Sequence, residues 1–402
     1  MHLYFFPRNP LHKLGFLGRL FFRGGRLLKP ADAGKGACMA RSQIPTTTPS
    51  FYDNEIGIRA NFAGEVFRDP DYYKDDSEGG FCVFRVQNTL FKVHRCFLLR
   101  EPSAFVDMFS MPQLDEAVEG RSDNSSIVLT DTVEQFRDFL WVLYALPSEL
   151  INVEAPTAPS LERLINIATV ANKYCFASYE SWALDRIFTL AQDPVGFLRN
   201  DSPEICSMVL NLAVICDHQG LVDLVTQRLI ARILWSSIDH DSILDVARTH
   251  GLRKLEGVVY YKQLINIEQA SSDGRMTSQP VFSTSMNVEK RMGFLAAHHS
   301  LVNLWEHLRT TPPLFHAGGC PSHSSCITAW GQAWIKAGGA SQTMRCGSAD
   351  VLGRLKSMMV ILRKNLTETQ AMSIPCTLAA LEAITMTRDD IVSDLMDHFC
   401  EY

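Results

Sequence analysis

Two short apolar runs, Phe81–Val86 (FCVFRV) and Thr89–Val93 (TLFKV), meet across the dipeptide Gln87–Asn88. Runs of this length, rich in β-branched and aromatic residues and two residues apart, commit the segment to a β-hairpin. The second run passes without a turn signal through His94-Arg95 into a helix, and Ser103–Phe109 (SAFVDMF) forms another, with the aromatic pair Phe105 and Phe109. A third run, Ser126–Leu129, feeds a longer helix. Asp131 is a good N-cap for that helix, with Glu134 three residues on to reach back to the cap amide. Val133, Phe136, Leu140 and Leu143 fall on one face, and Pro147 ends the element. This mixture of strands and helices predicts an α+β domain.

The rest of the chain changes character. A short Pro-containing loop leads to helices over Leu161–Lys173 and Tyr179–Leu190, and Asp193-Pro194 marks a boundary. Ser202-Pro203 supplies an N-cap and a first-turn proline. Helices are then predicted from Ile205 to Cys216, over Leu221–Leu234, Ser242–His250 and Leu252–Ile267, and later over Met292–Leu308, Cys326–Trp334, Val351–Leu362 and Asp389–Phe399. The resulting divisions are a basic segment 1–50, an α+β domain 51–195, a helical extension 196–269, a polar linker 270–287 and a helical C-terminal region 288–402. Residues 51–80, rich in acids, Tyr and Gly, are expected to wrap onto the domain edge rather than enter a core.

Charge and cysteine usage narrow the class. Residues 1–41 hold eight Lys/Arg against one acid, Asp32, a surplus of seven; the net charge is −6 overall, so the remainder carries −13. An acidic body lacks the clustered cations that non-specific nucleic-acid binding requires. No stretch approaches the roughly 18–20 uninterrupted apolar residues that cross a bilayer. The basic first segment resembles a mitochondrial transit peptide in charge but lacks its serines. Leu14, Leu17, Leu20 and Phe21 recur at the spacing of a membrane-surface helix. The plainer expectation is a solvated tail, or an extension upstream of Met39. Eleven cysteines scattered through apolar contexts fit free thiols in a reducing compartment, cytoplasmic or nuclear, better than a disulfide framework.

Phe91-Lys-Val-His94-Arg95 after a hairpin, the SAFVDMF run, an acidic insert from Asp115 to Gly120, and Ile127-Val-Leu129-Thr-Asp131 before a helix ending in Leu143-Tyr144 together resemble the BTB/POZ domain. The segment Leu314–Trp334 is similar to the C-terminal part of a set of fungal BTB proteins. The resemblance implies a protein-interaction module that forms homodimers, followed by a helical extension, with no catalysis and no cofactor. Many members hand substrates to cullin-based ubiquitin ligases through the helix after the third strand. By position that surface is Phe136, Phe139, Leu140, Leu143, Tyr144 and the loop through Glu149. His94 is then a structural histidine at a strand-to-helix junction.

One cluster carries metal-ligand chemistry. His316, Cys320, His323, Cys326 and Cys346 lie within thirty-one residues, the last four being the candidate ligands, and zinc takes Cys thiolate and His nitrogen in a tetrahedron. The Cys-x5-Cys spacing lacks the two-residue knuckle of a standard finger. A zinc-containing protein or enzyme centred there is the alternative to the interaction reading. Trp330 and Trp334, one helical turn apart, are expected in a core. No GxSxG, P-loop, GxGxxG, HExxH or kinase signature occurs, so no catalytic residue is assigned.

Overall fold

The computed structural model describes residues 66–73, 80–111, 119–151, 159–193, 195–236, 238–272 and 286–399. The basic tail, the linker Pro45–Ser50, most of the acidic insert and most of the 270–287 linker lie outside these residues. The architecture is α+β, with a small four-stranded sheet near the N-terminal end and helices from residue 133 onward. The sheet comprises β1 (Phe67–Tyr73), β2 (Phe81–Val86), β3 (Thr89–His94) and β4 (Ile127–Leu129), in spatial order β1-β3-β2-β4. β2 and β3 pair antiparallel with Phe84 opposite Phe91, across a turn in which Gln87 takes a left-handed φ of 52°. β1 runs parallel to β3 and β4 parallel to β2.

β1 gives residues 67–73 a regular form within the stretch 51–80 expected to wrap onto the domain edge, as the edge strand of the sheet. Its sequence, FRDPDYY, carries two aspartates and a proline, residues depleted from strands, so its pattern gives no strand signal. It forms because it is an edge strand, where a proline is tolerated, and because Asp69 anchors it. Asp69 is buried, with Oδ2 accepting from Arg137 Nη2 at 2.5 Å and Nε at 3.2 Å, and Oδ1 accepting from the Tyr72 amide at 2.9 Å.

Two short helices, α1 (Arg95–Leu98) and α2 (Ala104–Ser110), follow the hairpin, and α3 (Val133–Tyr144) follows β4. Phe136 seats its ring 5.1 Å from Phe91 and 5.6 Å from Phe84, while Phe105 reaches Phe84 at 5.4 Å. Aromatic pairs at such distances add about 0.5–1.5 kcal/mol each beyond the area they bury. The α3 cap differs from expectation by one residue. Thr132 and Gln135 form the reciprocal capping box, Oγ1 accepting at 3.2 Å and Oε1 at 3.1 Å. Asp131 is instead buried and accepts from Lys173 Nζ at 2.7 Å and Tyr174 OH at 2.5 Å. The sequence DTVEQ offers both registers, and the long-range ion pair decides between them.

After the short α4 (Pro147–Ile151), three helical hairpins follow: α5 (Leu161–Lys173) with α6 (Ala177–Gln192), then, past α7 (Phe197–Asn200), α8 (Pro203–Ile215) with α9 (Gln219–Trp235), and α10 (Asp241–Thr249) with α11 (Arg253–Ser272). Their corners share one physical device. Cys175, Asp217 and Gly251 each adopt positive φ just beyond the first helix. The next residue's amide then reaches back five positions: Phe176 to Ala171, His218 to Ala213, Leu252 to Ala247. This is a Schellman closure, which satisfies the orphan carbonyls and reverses the chain. α11 runs to Ser272, three residues into the expected linker.

The C-terminal helices are α12 (Val288–Leu308), α13 (His323–Gly338), α14 (Val351–Thr369) and α15 (Ile374–Asp394), ending in a 3₁₀ turn, Leu395–His398. α11 packs directly on α15 and on that turn, so the helical extension and the C-terminal region share a core. α15 begins fifteen residues before the predicted Asp389. Among the described residues no helix is long and apolar enough to cross a membrane.

Candidate functional site

The residues expected to meet a partner are mostly core. Phe136, Phe139, Leu140 and Leu143 are at most 1% exposed, because the apolar face of α3 is the face that closes the sheet. Tyr144 is half-buried, and its hydroxyl accepts from the His94 amide at 3.0 Å and meets His94 Nδ1 at 2.9 Å. His94, packed against Phe81 and Phe97, therefore serves to lock the end of β3 onto the end of α3. Glu149 is half-buried and caps α4 by accepting from the Leu146 amide at 2.8 Å. What remains exposed in this stretch is the loop after α3, where Leu146 is 64% exposed.

A constellation of catalytic type occurs among the helices. Glu268 on α11, His298 on α12 and Ser348 in the loop before α14 converge. Glu268 Oε1 accepts from the Ser348 amide at 2.6 Å and its hydroxyl at 2.5 Å. Burial pushes this carboxyl up, but the His298 ring and the Ser348 hydroxyl and amide outweigh it and hold the carboxyl below its ordinary value. Serine and glutamate both face the same ring nitrogen, Nε2, at 3.1 and 3.6 Å. A relay needs the acid on one nitrogen and the nucleophile on the other. The cluster ties three helical segments together.

The sulfur cluster is partly as the sequence suggested. A loop from Arg309 to Ser322 leads into α13 and is held by the two tryptophans, each at most 1% exposed. Trp330 Nε1 donates to the Pro313 carbonyl at 3.0 Å and Trp334 Nε1 to that of Leu308 at 2.8 Å. Cys320 ends that loop, while His323 and Cys326 occupy the first turn of α13. Cys320 Sγ lies 3.9 Å from Cys326 Sγ. Cys346 is not among them. It sits near the start of α14 against Ser357, where burial raises its thiol pKa. Its place is taken by Cys376, buried in the first turn of α15, with Sγ 3.4 Å from His323 Nδ1. The donor atoms of Cys320, His323 and Cys376 all lie within 4.8 Å of one another, so these three could hold a metal, with Cys326 beside them.

Ser373, the N-cap of α15, stitches the cluster: its hydroxyl donates to Cys320 Sγ at 3.3 Å and its amide to Cys326 Sγ at 3.5 Å. The Ser373 hydroxyl and the Ser322 amide pull the Cys320 thiol down to about 7. Burial instead pushes Cys82 and Cys216 up to about 12, which leaves them inert thiols. Cys175 departs from the expectation of free thiols throughout, being disulfide-bonded. Neither Cys376 nor Ser373 was assigned from sequence; the available signal was Ser373-Ile-Pro375, a cap and first-turn proline like Ser202-Pro203.

No protein-family model, curated protein or solved structure matches the chain.

Proposed function

We propose that the sheet and the helices α1 to α6 are a BTB/POZ-type interaction module and that this protein acts by binding, not by catalysis. The reading is carried by the order of elements: a hairpin running straight into a helix pair, a third strand parallel to the first strand of the hairpin, a helix packed under the sheet, and a closing helical hairpin. A second support is how the polar groups of this region are used. Asp69, Asp131 and His94 are engaged in ties between elements, and Asp138 holds Arg163 at 2.9 Å and Asn166 at 2.8 Å. The helical hairpins that follow serve as the platform for whatever the module recruits. A cullin-type partner would meet the loop around Leu146 rather than the buried face of α3.

Co-expression of two differently tagged full-length copies, with a cullin as third bait, tests the proposal. Capture of one copy by the other is expected. Capture of the cullin, lost in Leu146→Asp, makes the protein a ligase adaptor; self-capture alone makes it a scaffold. Failure to capture either would overturn the reading.

A further inference from the structure

The geometry assigns a zinc site to Cys320, His323 and Cys376, with Cys326 beside them, that clamps the first turns of α13 and α15 together. The argument begins with donor chemistry. Thiolate and imidazole are the ligands that select zinc among abundant divalent ions, because magnesium and calcium require oxygen. Three such donors converge from three segments, with Cys376 fifty-three positions after His323. Two of the thiols, Cys326 and Cys376, are at most 3% exposed.

The spacing of the donors fits a single small ion. Bonds of about 2.3 Å to sulfur and about 2.0–2.1 Å to nitrogen in a tetrahedron imply sulfur–sulfur edges of about 3.8 Å and sulfur–nitrogen edges of about 3.5 Å. The Cys320–Cys326 edge is 3.9 Å and the His323–Cys376 edge 3.4 Å. The donors of Cys320, His323 and Cys376 all lie within 4.8 Å of one another, and Cys326 Sγ stands outside that group beside Cys320. A disulfide would instead need sulfurs about 2.0 Å apart.

The surroundings supply what a thiolate-rich site needs. The ligating thiols must lose their protons, and they lie where the N-termini of two helices, α13 and α15, carry their positive ends. Ser373 donates to two of the sulfurs, as outer-shell groups do around metal thiolates. The His323 ring is fixed by an edge contact to Phe315, 5.4 Å between centroids, and Phe315 by Trp330. Three protein donors leave a fourth tetrahedral position, which a water or the neighbouring Cys326 thiolate would fill. Binding releases one proton from each thiol that carries one, so loading weakens as pH falls. The site is independent of the interaction reading: it concerns α13 and α15, not the sheet.

The test uses full-length reduced protein, with any histidine tag removed, loaded with Zn²⁺ or Co²⁺ and desalted. One metal per chain is expected, with the intense visible absorption of tetrahedral thiolate-bound cobalt, displaced by added Zn²⁺. Cys376→Ser and Cys320→Ser should each lose stoichiometric binding, and Cys346→Ser should keep it. Should the serine variants fail to fold, His323→Cys keeps three soft donors and must still bind one cobalt with a shifted spectrum. A wild-type protein that takes up no metal, or one whose binding depends on Cys346 and not on Cys376, would overturn the assignment. So would recovery of Cys320 and Cys326 as a disulfide that reduction and metal do not convert.

Discussion

Gly257→Ala should destabilise this protein, against the ordinary rule for helices. Gly257 lies inside α11, where glycine costs about 0.8–1.0 kcal/mol relative to alanine, so the exchange in an open helix would stabilise by that amount. Here a Cβ would lie 2.6 Å from the Met396 amide nitrogen, 3.0 Å from its Cα and 3.1 Å from its Cβ. The obstacle is backbone, part of the 3₁₀ turn Leu395–His398, so it cannot swing aside as a side chain could. Restoring ordinary contact moves that turn by about 1 Å away from α11, at the 1–3 kcal/mol typical of overpacking. The turn carries Leu395, fully buried, and leads to Phe399, whose ring centroid lies 5.6 Å from those of both Tyr260 and Phe294. The net expectation is a loss of about 0–2 kcal/mol after the helical gain is subtracted. Gly293 in α12, where a Cβ would meet nothing within 4 Å, is the matched control and should stabilise by about 1 kcal/mol as alanine. Urea unfolding followed by circular dichroism reads both, as midpoint shifts at constant slope. Equal stabilisation by the two alanines would refute the packing of α11 against the C-terminal turn.

Other consequences follow from the same reasoning. Asp131→Ala should cost about 2–3 kcal/mol by leaving the part-buried Tyr174 hydroxyl without its charged acceptor, whereas Thr132→Ala should cost about 1 kcal/mol, and urea midpoints in the reverse order would restore Asp131 as the cap. The Glu268 carboxyl is held below its unfolded value, so the unfolded chain binds more protons there; its stabilisation is present above the unfolded pKa and is lost as pH falls through the folded one. Glu268→Gln should therefore lower stability at neutral pH and flatten its decline into acid, and an unchanged pH profile would contradict this. In metal-free protein at neutral pH, Cys320 should alkylate first, and Cys82 and Cys216 only on unfolding, as peptide mass spectrometry would record.

The sequence disclosed the helices best where caps and periodicity coincide. Ser160, Ser202 and Asp350 each cap a helix, accepting at 3.2, 3.4 and 2.9 Å. The hairpin, the burial of both tryptophans and the structural role of His94 were legible too, the first two from apolar pattern and the last from the lack of an acid to orient the ring. β1 was not, because an edge strand anchored by one buried aspartate has no alternating pattern to read. The burial of Phe136, Phe139, Leu140 and Leu143 follows from their shared face, which conflicts with assigning the same residues to a partner. Cys376 was missed for a different reason: local spacing favours Cys346, and only the approach of α15 to α13 brings a residue fifty positions away to the cluster.

The central claim is that this chain works by associating through its sheet-bearing module. The most direct measurement is the molar mass of the full-length protein by light scattering across a dilution series. The account predicts a dimer that dissociates only on dilution. A mass fixed at 45.1 kDa at every concentration, in a protein that also captures no cullin, would contradict it.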